Sequence, residues 1–166
     1  MRPIEGLGDK VLVQVCVIVD DADKYAKRYA EIFGIDIPEV HVTAGHDETN
    51  ATHFGDPTEA KARIYHWHFG NVGFEILQPL GPESVWQDWL DKHGPSVHHV
   101  AFRVTDTNGV AREFIERGYP ISQQGFFTGR FANGGHTGMY TYLETEADLG
   151  TTVELLEHYD PNGEVR

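Results

Sequence analysis

Two spacings of apolar residues alternate along the chain, and the switches between them mark its elements. Residues 10–19 read as a strand, with Gln14, Cys16 and Ile18 on one face and Val13, Val15, Val17 and Val19 on the other. Ala22, Tyr25, Ala26, Tyr29, Ile32 and Phe33 then recur at helical spacing, which predicts a helix over 22–33, capped by Asp20 or Asp21 and stopped by Gly34. The four-valine face is expected to pack on this helix, leaving Gln14 on the opposite face. Strands are predicted over 39–44, 62–69 and 74–78, the last ended by Pro79, Gly81 and Pro82. Residues 45–60 have no clear period and read as a long loop, a length usually reserved for functional lids or inserts. A short helix over 83–93 puts Val85, Trp86, Trp89 and Leu90 on one side.

The pattern then repeats. A strand over 97–104 leads into a helix over 108–117, with Val110, Ala111, Phe114 and Ile115 inward and Gly118 as its stop. A strand over 120–123, a glycine-rich loop over 125–138 and strands over 139–144 and 151–157 follow. His99 falls on Gln14 at an offset of 85 residues, and Phe74-Glu75-Ile76-Leu77 matches Val153-Glu154-Leu155-Leu156. Each half therefore reads strand, helix, three strands: two βαβββ modules, at about 10–80 and 96–160, in one α+β domain over 1–166.

Composition narrows the partners. With 26 acidic and 13 basic residues the net charge is −13, which argues against nucleic acid, whose affinity rests on phosphate neutralisation, and against anionic membrane surfaces. No apolar run approaches the roughly 18–20 residues of a membrane span, and the N-terminus carries no apolar signal region. Cys16 is the only cysteine, so no intrachain disulfide forms, and a cytoplasmic protein acting on a small molecule is expected.

The repeat sets four ligand-type residues in equivalent places: Gln14 and His99 near the start of each first strand, Glu75 and Glu154 in each last strand. If the modules join into one curved sheet, all four converge on its concave face. One imidazole, two carboxylates and an amide oxygen suit a borderline-to-hard divalent ion. An inward carboxylate costs several kcal/mol to desolvate unless paired or coordinated, and two facing carboxylates repel; a bound dication removes both penalties. Taken singly, each residue has an ordinary alternative: a solvated glutamate, a satisfied amide, a core histidine.

Residues 73–104, running from Gly-Phe-Glu-Ile-Leu-Gln-Pro through His-His-Val-Ala-Phe-Arg-Val, together with 139–154, resemble the vicinal-oxygen-chelate (glyoxalase/bleomycin-resistance/dioxygenase) superfamily, and within it the methylmalonyl-CoA epimerases. The resemblance implies one cupped mixed sheet with helices on its convex side, a homodimer, and one divalent metal (zinc, cobalt, nickel or manganese) held by Gln14, Glu75, His99 and Glu154. It implies an isomerase or epimerase that abstracts a proton beside a metal-chelated carbonyl, on an acyl-CoA thioester, with Glu154 as the first base. Epimerases of this kind commonly have histidine where Gln14 stands; glutamine there is similar to zinc glyoxalase I. A lyase acting on a 2-oxoaldehyde adduct is the alternative, and a metal-free small-molecule binding protein of the resistance type a third.

Epimerisation needs a second base, a glutamate in the family. His66 and His68 share a strand face and are the candidates; otherwise they line the pocket or meet solvent. His98 alternates to the face opposite His99 and reads as structural. His41, His46 and His53 lie in or beside the loop and read as solvated. Arg103, Arg130 and Tyr142 are candidates for a substrate carboxylate or phosphate, or partners for the protein's own carboxylates. Cys16 reads as a buried, inert thiol.

Overall fold

The computed structural model describes residues 2–7, 11–81 and 83–165; the expected strand start at Lys10 and the stop at Pro82 lie outside the described residues. The elements, in chain order, are β1 (Leu12–Ile18), α1 (Ala22–Phe33), β2 (His41–Val42), α2 (His46–Thr49), β3 (Thr52–His53), β4 (Asp56–Pro57), β5 (Lys61–Phe69), β6 (Val72–Leu80) and α3 (Val85–His93). There follow β7 (Ser96–Arg103), α4 (Thr107–Glu116), β8 (Ile121–Phe126), β9 (Gly138–Leu143), α5 (Glu146–Leu149) and β10 (Thr152–His158). The strands form one curled mixed sheet in the order β2-β5-β6-β1-β7-β10-β9-β8-β3-β4.

The repeat is visible in the pairing. β1 runs parallel to β6 and β7 parallel to β10, while β1 and β7 join the halves as an antiparallel seam. Each first strand leads into a helix with an aspartate cap: Asp21, one of the two expected candidates, accepts on Oδ1 from Lys24 N at 3.0 Å, and Asp106 Oδ1 accepts from Gly109 N at 2.9 Å. α1 and α4 cover the convex side. Ala22 and Ala26 of α1 pack with Val19, Tyr65, Trp67 and Ile76; Val110, Ala111 and Phe114 of α4 pack with Leu143, Val153 and Leu155. The expected apolar stripes run too far: Ile32 and Phe33 are 76% and 60% exposed, and Ile115 is 48% exposed. Helical spacing continues past the point where the sheet offers a surface.

Two features depart from the expected outline. α3 seats Val85 and Trp86 against Cys16, Ile18, Leu77 and Tyr142, on the inward side of the sheet, and so plugs one end of the cup. Ser84 sets its start, accepting from Gln87 N at 3.1 Å. Secondly, residues 45–60 are no plain loop. They carry α2 and the β3–β4 hairpin, and β3 pairs with β8 of the other half, Thr52 opposite Gln124 and His53 opposite Gln123. The segment thus runs from one edge of the sheet, at β2, to the other. It is tied there by Ala44 N donating to Thr128 Oγ1 at 2.9 Å and by Thr58 Oγ1 donating to the Glu83 carbonyl at 2.8 Å. Its hairpin turn puts Phe54 and Gly55 at φ 49° and 90°. That matches the positive-φ turn favoured between two strands, with a phenylalanine where asparagine is usual.

The halves share the β1–β7 seam and the β3–β8 contact, so they are expected to unfold together. Ile76→Ala in the first half and Leu155→Ala in the second should each cost about 2–5 kcal/mol, shifting one common urea transition. A biphasic curve in which each substitution moved a different phase would show two independent folding units.

Candidate metal centre

The two central strands bring the four repeat-related residues together. Across β1 and β6, Gln14 lies opposite Gly73 and Cys16 opposite Glu75; across β7 and β10, His99 lies opposite Thr152 and Ala101 opposite Glu154. Cys16 is in turn opposite His99 across the seam. Side chains at paired positions share a sheet face, so Gln14, Glu75, His99 and Glu154 all point into the cup. Gln14 Nε2 lies 3.4 Å and Glu154 Oε2 3.2 Å from His99 Nε2. The ligand atoms of Cys16, Glu75 and His99 lie within 4.8 Å of one another. The thiol, expected to be merely a buried neighbour, therefore belongs to the cluster.

A correction concerns His98. Strict alternation put it on the face opposite His99, but the seam slips between Cys16 and Val17, whose partners are His99 and Val97. His98 is the extra residue of a bulge, a distortion that can re-aim a side chain. It is buried, and its Nδ1 stands 2.9 Å from Nδ1 of His99. Both rings pack on Tyr142, an inward-facing residue opposite Glu154. The seam slips a second time between Leu12 and Gln14, making Val13 the extra residue on β1. Val13 accordingly lines the cavity beside Gln14 instead of joining the valine face toward α1. Each slip falls immediately before a repeat-equivalent donor.

The electrostatics suit a cation. Burial pushes Glu75 up to about 7; the neighbouring His99 pulls it down, Glu154 repels it upward, and a hydrogen bond from Cys16 lowers it. Burial also lowers His99, but Glu154 and Glu75 more than offset this and hold its pKa above the ordinary value. The Cys16 thiol is pushed well up by burial and by Glu75. Glu154 Oε2 is buried, lies 3.2 Å from His99 Nε2 as an ion-pair contact, and has no other partner. A buried, unpartnered carboxylate oxygen beside an imidazole nitrogen, a second carboxyl and an amide is a donor set that fits a divalent ion.

Above the cluster opens a cavity of about 470 Å³, walled by both halves and by the segment over 45–60. His66 and His68 both line it, their rings 4.7 Å apart, and His66 lies opposite Glu75 across β5 and β6. His66 sits over Gly73, where a Cβ would lie 2.3 Å from His66 Nε2. That nitrogen is buried without a partner, and burial, then His68, depresses its pKa. In the second half Tyr142 takes the place of His66, opposite Glu154. Tyr142 is itself buried, accepts a hydrogen bond from Trp86 Nε1 at 3.2 Å, and has its pKa driven well up by burial and by Glu154.

Of the two arginines, Arg103 lines the cavity, and no ion pair to it is found among the described residues. Arg130 is occupied elsewhere, donating to the Gly134 and Glu48 carbonyls. His41 lines the cavity, whereas His46 and His53 are not simply solvated: His46 Nδ1 lies 2.8 Å from the Ala51 carbonyl, and His53 pairs with Asp88 at 2.8 Å. Sequence reasoning missed Phe126 and Phe127, which form part of the cavity wall at the end of β8. Their only signal was two aromatics beside a glycine-rich stretch. No helix among the described residues is long and apolar enough to cross a membrane.

Comparison with known proteins agrees with this architecture. A structure of methylmalonyl-CoA epimerase from Mycobacterium tuberculosis superposes with a TM-score of 0.58 at 19% identity, covering 96% of this chain and 94% of that one. A Streptomyces coelicolor methylmalonyl-CoA epimerase variant in complex with 2-nitronate-propionyl-CoA gives 0.59 at 18% identity, covering 87% and 94%. A hypothetical protein from Bacillus halodurans C-125 gives 0.60 at 17% identity, covering 90% and 95%. These likenesses are similarities of fold. No curated protein matches the sequence significantly. The family described as the glyoxalase/bleomycin resistance protein/dioxygenase superfamily matches residues 13–140. With most of its length so matched and the paired halves built as described, the chain belongs to the glyoxalase/bleomycin resistance protein/dioxygenase superfamily.

Proposed function

We propose that the protein is a divalent-metal-dependent isomerase or epimerase that moves a proton next to a carbonyl, with an acyl-CoA thioester as its substrate class. Gln14, Glu75, His99 and Glu154 are the proposed ligands, for zinc, cobalt, nickel or manganese, in a cytoplasmic homodimer. One observation carries the reading. Two buried side-chain atoms without hydrogen-bond partners, Glu154 Oε2 and His66 Nε2, belong to residues lining the same cavity from opposite ends of the donor row. Glu154 stands on β10 and His66 on β5, with β6, β1 and β7 between them. Inverting a carbon centre calls for one group to remove a proton on one face and another to return it on the other.

A bound divalent ion would supply Lewis-acid stabilisation of the negative charge that develops on the substrate carbonyl oxygen. The chain's own residues do the rest. Glu154 takes the proton on its Oε2. His66, held uncharged by burial, exchanges a proton at Nε2 from the other side. Arg103 binds an anionic group of the substrate at the cavity wall, while Trp86 and the aromatic end of β8 keep water from the reacting carbon. The solved epimerases that share this fold, one of them in complex with 2-nitronate-propionyl-CoA, support the thioester class.

Gln14 favours a second reading, a lyase of the glyoxalase I type on a 2-oxoaldehyde adduct, since the amide replaces the histidine usual in the epimerases.

Four outcomes are expected. Protein reloaded with zinc or cobalt and desalted should carry one ion per chain by elemental analysis; no stoichiometric ion would leave the metal-free binding protein as the better account. With metal bound, the enzyme should wash solvent deuterium into the α-carbon of a 2-methyl-3-carboxy thioester, and Glu154→Gln should reduce this by about 10²–10⁴-fold. His66→Gln should abolish inversion while exchange from the Glu154 side persists; equal loss of both would remove His66 from the second-base role. Arg103→Leu should raise KM about 10–100-fold, the worth of one charge-assisted hydrogen bond, with kcat little changed. An unchanged KM would show that the substrate's anionic group is bound elsewhere.

A further inference from the structure

Of the four proposed ligands only the imidazole must be told which atom to present. A carboxylate offers equivalent oxygens and an amide can turn its oxygen to the ion, but a neutral histidine has one donor nitrogen and one acceptor nitrogen. The cluster contains a run of side chains that settles this choice. His99 Nδ1 lies 2.9 Å from His98 Nδ1. His98 Nε2 lies 3.4 Å from Thr152 Oγ1, and the Thr152 hydroxyl donates to Glu146 Oε1 on α5. His98, His99 and Thr152 are all buried, while Glu146 is partly exposed at the end of the run.

Donor and acceptor roles can be assigned from the outer end inward. Thr152 gives its proton to Glu146 Oε1 and keeps a lone pair for His98. His98 then carries its proton on Nε2 and presents a bare Nδ1. His99 must donate Nδ1–H to that nitrogen. Its Nε2, the atom facing Gln14 and Glu154, is left as the one whose lone pair is available. In the first half the positions equivalent to His98 and Thr152 are Val13 and Gly73, which cannot build such a run and, beside Gln14, have no tautomer to set. The bulge makes the contact possible, because consecutive residues of an unbroken strand point to opposite faces. Thr151 Oγ1, donating to the His98 carbonyl at 2.9 Å, holds the bulged backbone.

We propose that Glu146, Thr152 and His98 are positioning residues that lock His99 with its proton on Nδ1 and thereby commit Nε2 to metal binding. The consequence for metal affinity rests on the metal-centre reading above; the tautomer does not. The test therefore reads both. In 15N-histidine-labelled, metal-free protein at a pH that leaves His99 uncharged, two-bond 1H–15N spectra should show the His99 proton on Nδ1. Thr152→Val, which removes the hydroxyl at nearly constant shape, should release that preference and weaken cobalt binding about 10–100-fold, while Thr152→Ser keeps both near wild type. Glu146→Leu, closer to the surface, should act like Thr152→Val and serves if that variant fails to fold. A His99 proton found on Nε2 in the wild-type protein, or a Thr152→Val protein with unchanged tautomer and unchanged cobalt affinity, overturns the proposal. An Nδ1 proton in a protein that binds no cobalt would support the lock and refute the metal reading instead.

Discussion

Everything around the cluster depends on the antiparallel seam between β1 and β7. It is the one ladder that joins the two halves directly at the centre of the sheet, and it is out of register at both ends, by one residue on each strand. The slips are related by the repeat: Val13 before Gln14, His98 before His99. An extra residue in one strand bends it and increases its twist. Two such residues, one per strand, curl the sheet about the line where the donors lie. Without that curl Glu75 and Glu154, which stand on strands either side of the seam, would face outward from a flatter surface. With it they are brought into mutual repulsion around His99, a cost that a bound cation would relieve and that a pair of solvated glutamates would not carry.

The same symmetry explains where the halves diverge. Beside each inward glutamate the repeat sets a small residue, Cys16 in one half and Ala101 in the other, both fully buried. Across the next ladder out it sets a ring, His66 against Glu75 and Tyr142 against Glu154. The tyrosine is locked by Trp86 of α3, whereas His66 Nε2 lies over Gly73 without a hydrogen-bond partner. α3 therefore packs against the ring of one half of a nearly symmetric cup and has no counterpart over the ring of the other among the described residues. The segment over 45–60, leaving the first half to pair with β8 of the second, makes the space between them belong to both.

Much of this was legible in the chain. The 3.6-to-2 alternation and the matching of Phe74–Leu77 with Val153–Leu156 were enough to pick out four residues that strand pairing sets on one sheet face, because a repeat fixes equivalence without needing exact strand ends. What escaped has physical causes. A bulge is a one-residue slip decided by the partner strand, so alternation along β7 could not reveal that His98 joins His99. The β3–β4 hairpin uses two-residue strands and a phenylalanine at a positive-φ turn position, leaving neither a period nor a turn motif to read. Ile32, Phe33 and Ile115 keep helical spacing where the sheet no longer covers them, since periodicity reports which face a residue is on, not how far the neighbouring surface extends. The cavity wall contributed by Phe126 and Phe127 depends on where β8 ends, the kind of boundary local pattern defines least well.

The donor chemistry also argues for the kind of ion. Cys16 lies within reach of Glu75 and His99, and a thiolate there would draw the site toward soft metals. Its surroundings oppose ionisation. Full burial and the adjacent Glu75 charge both raise its pKa, and while protonated it donates to Glu75 instead of offering a lone pair. That hydrogen bond lowers the Glu75 pKa, against the burial that raises it to about 7. The thiol therefore stays neutral, and the cluster offers oxygen and nitrogen in preference to sulfur. An ion entering this cluster therefore meets one nitrogen and a majority of oxygens, the environment in which substrate carbonyl oxygens can compete for a place. A sulfur-rich site would hold its ion closed; an oxygen-rich donor set of the proposed kind would leave it open to exchange.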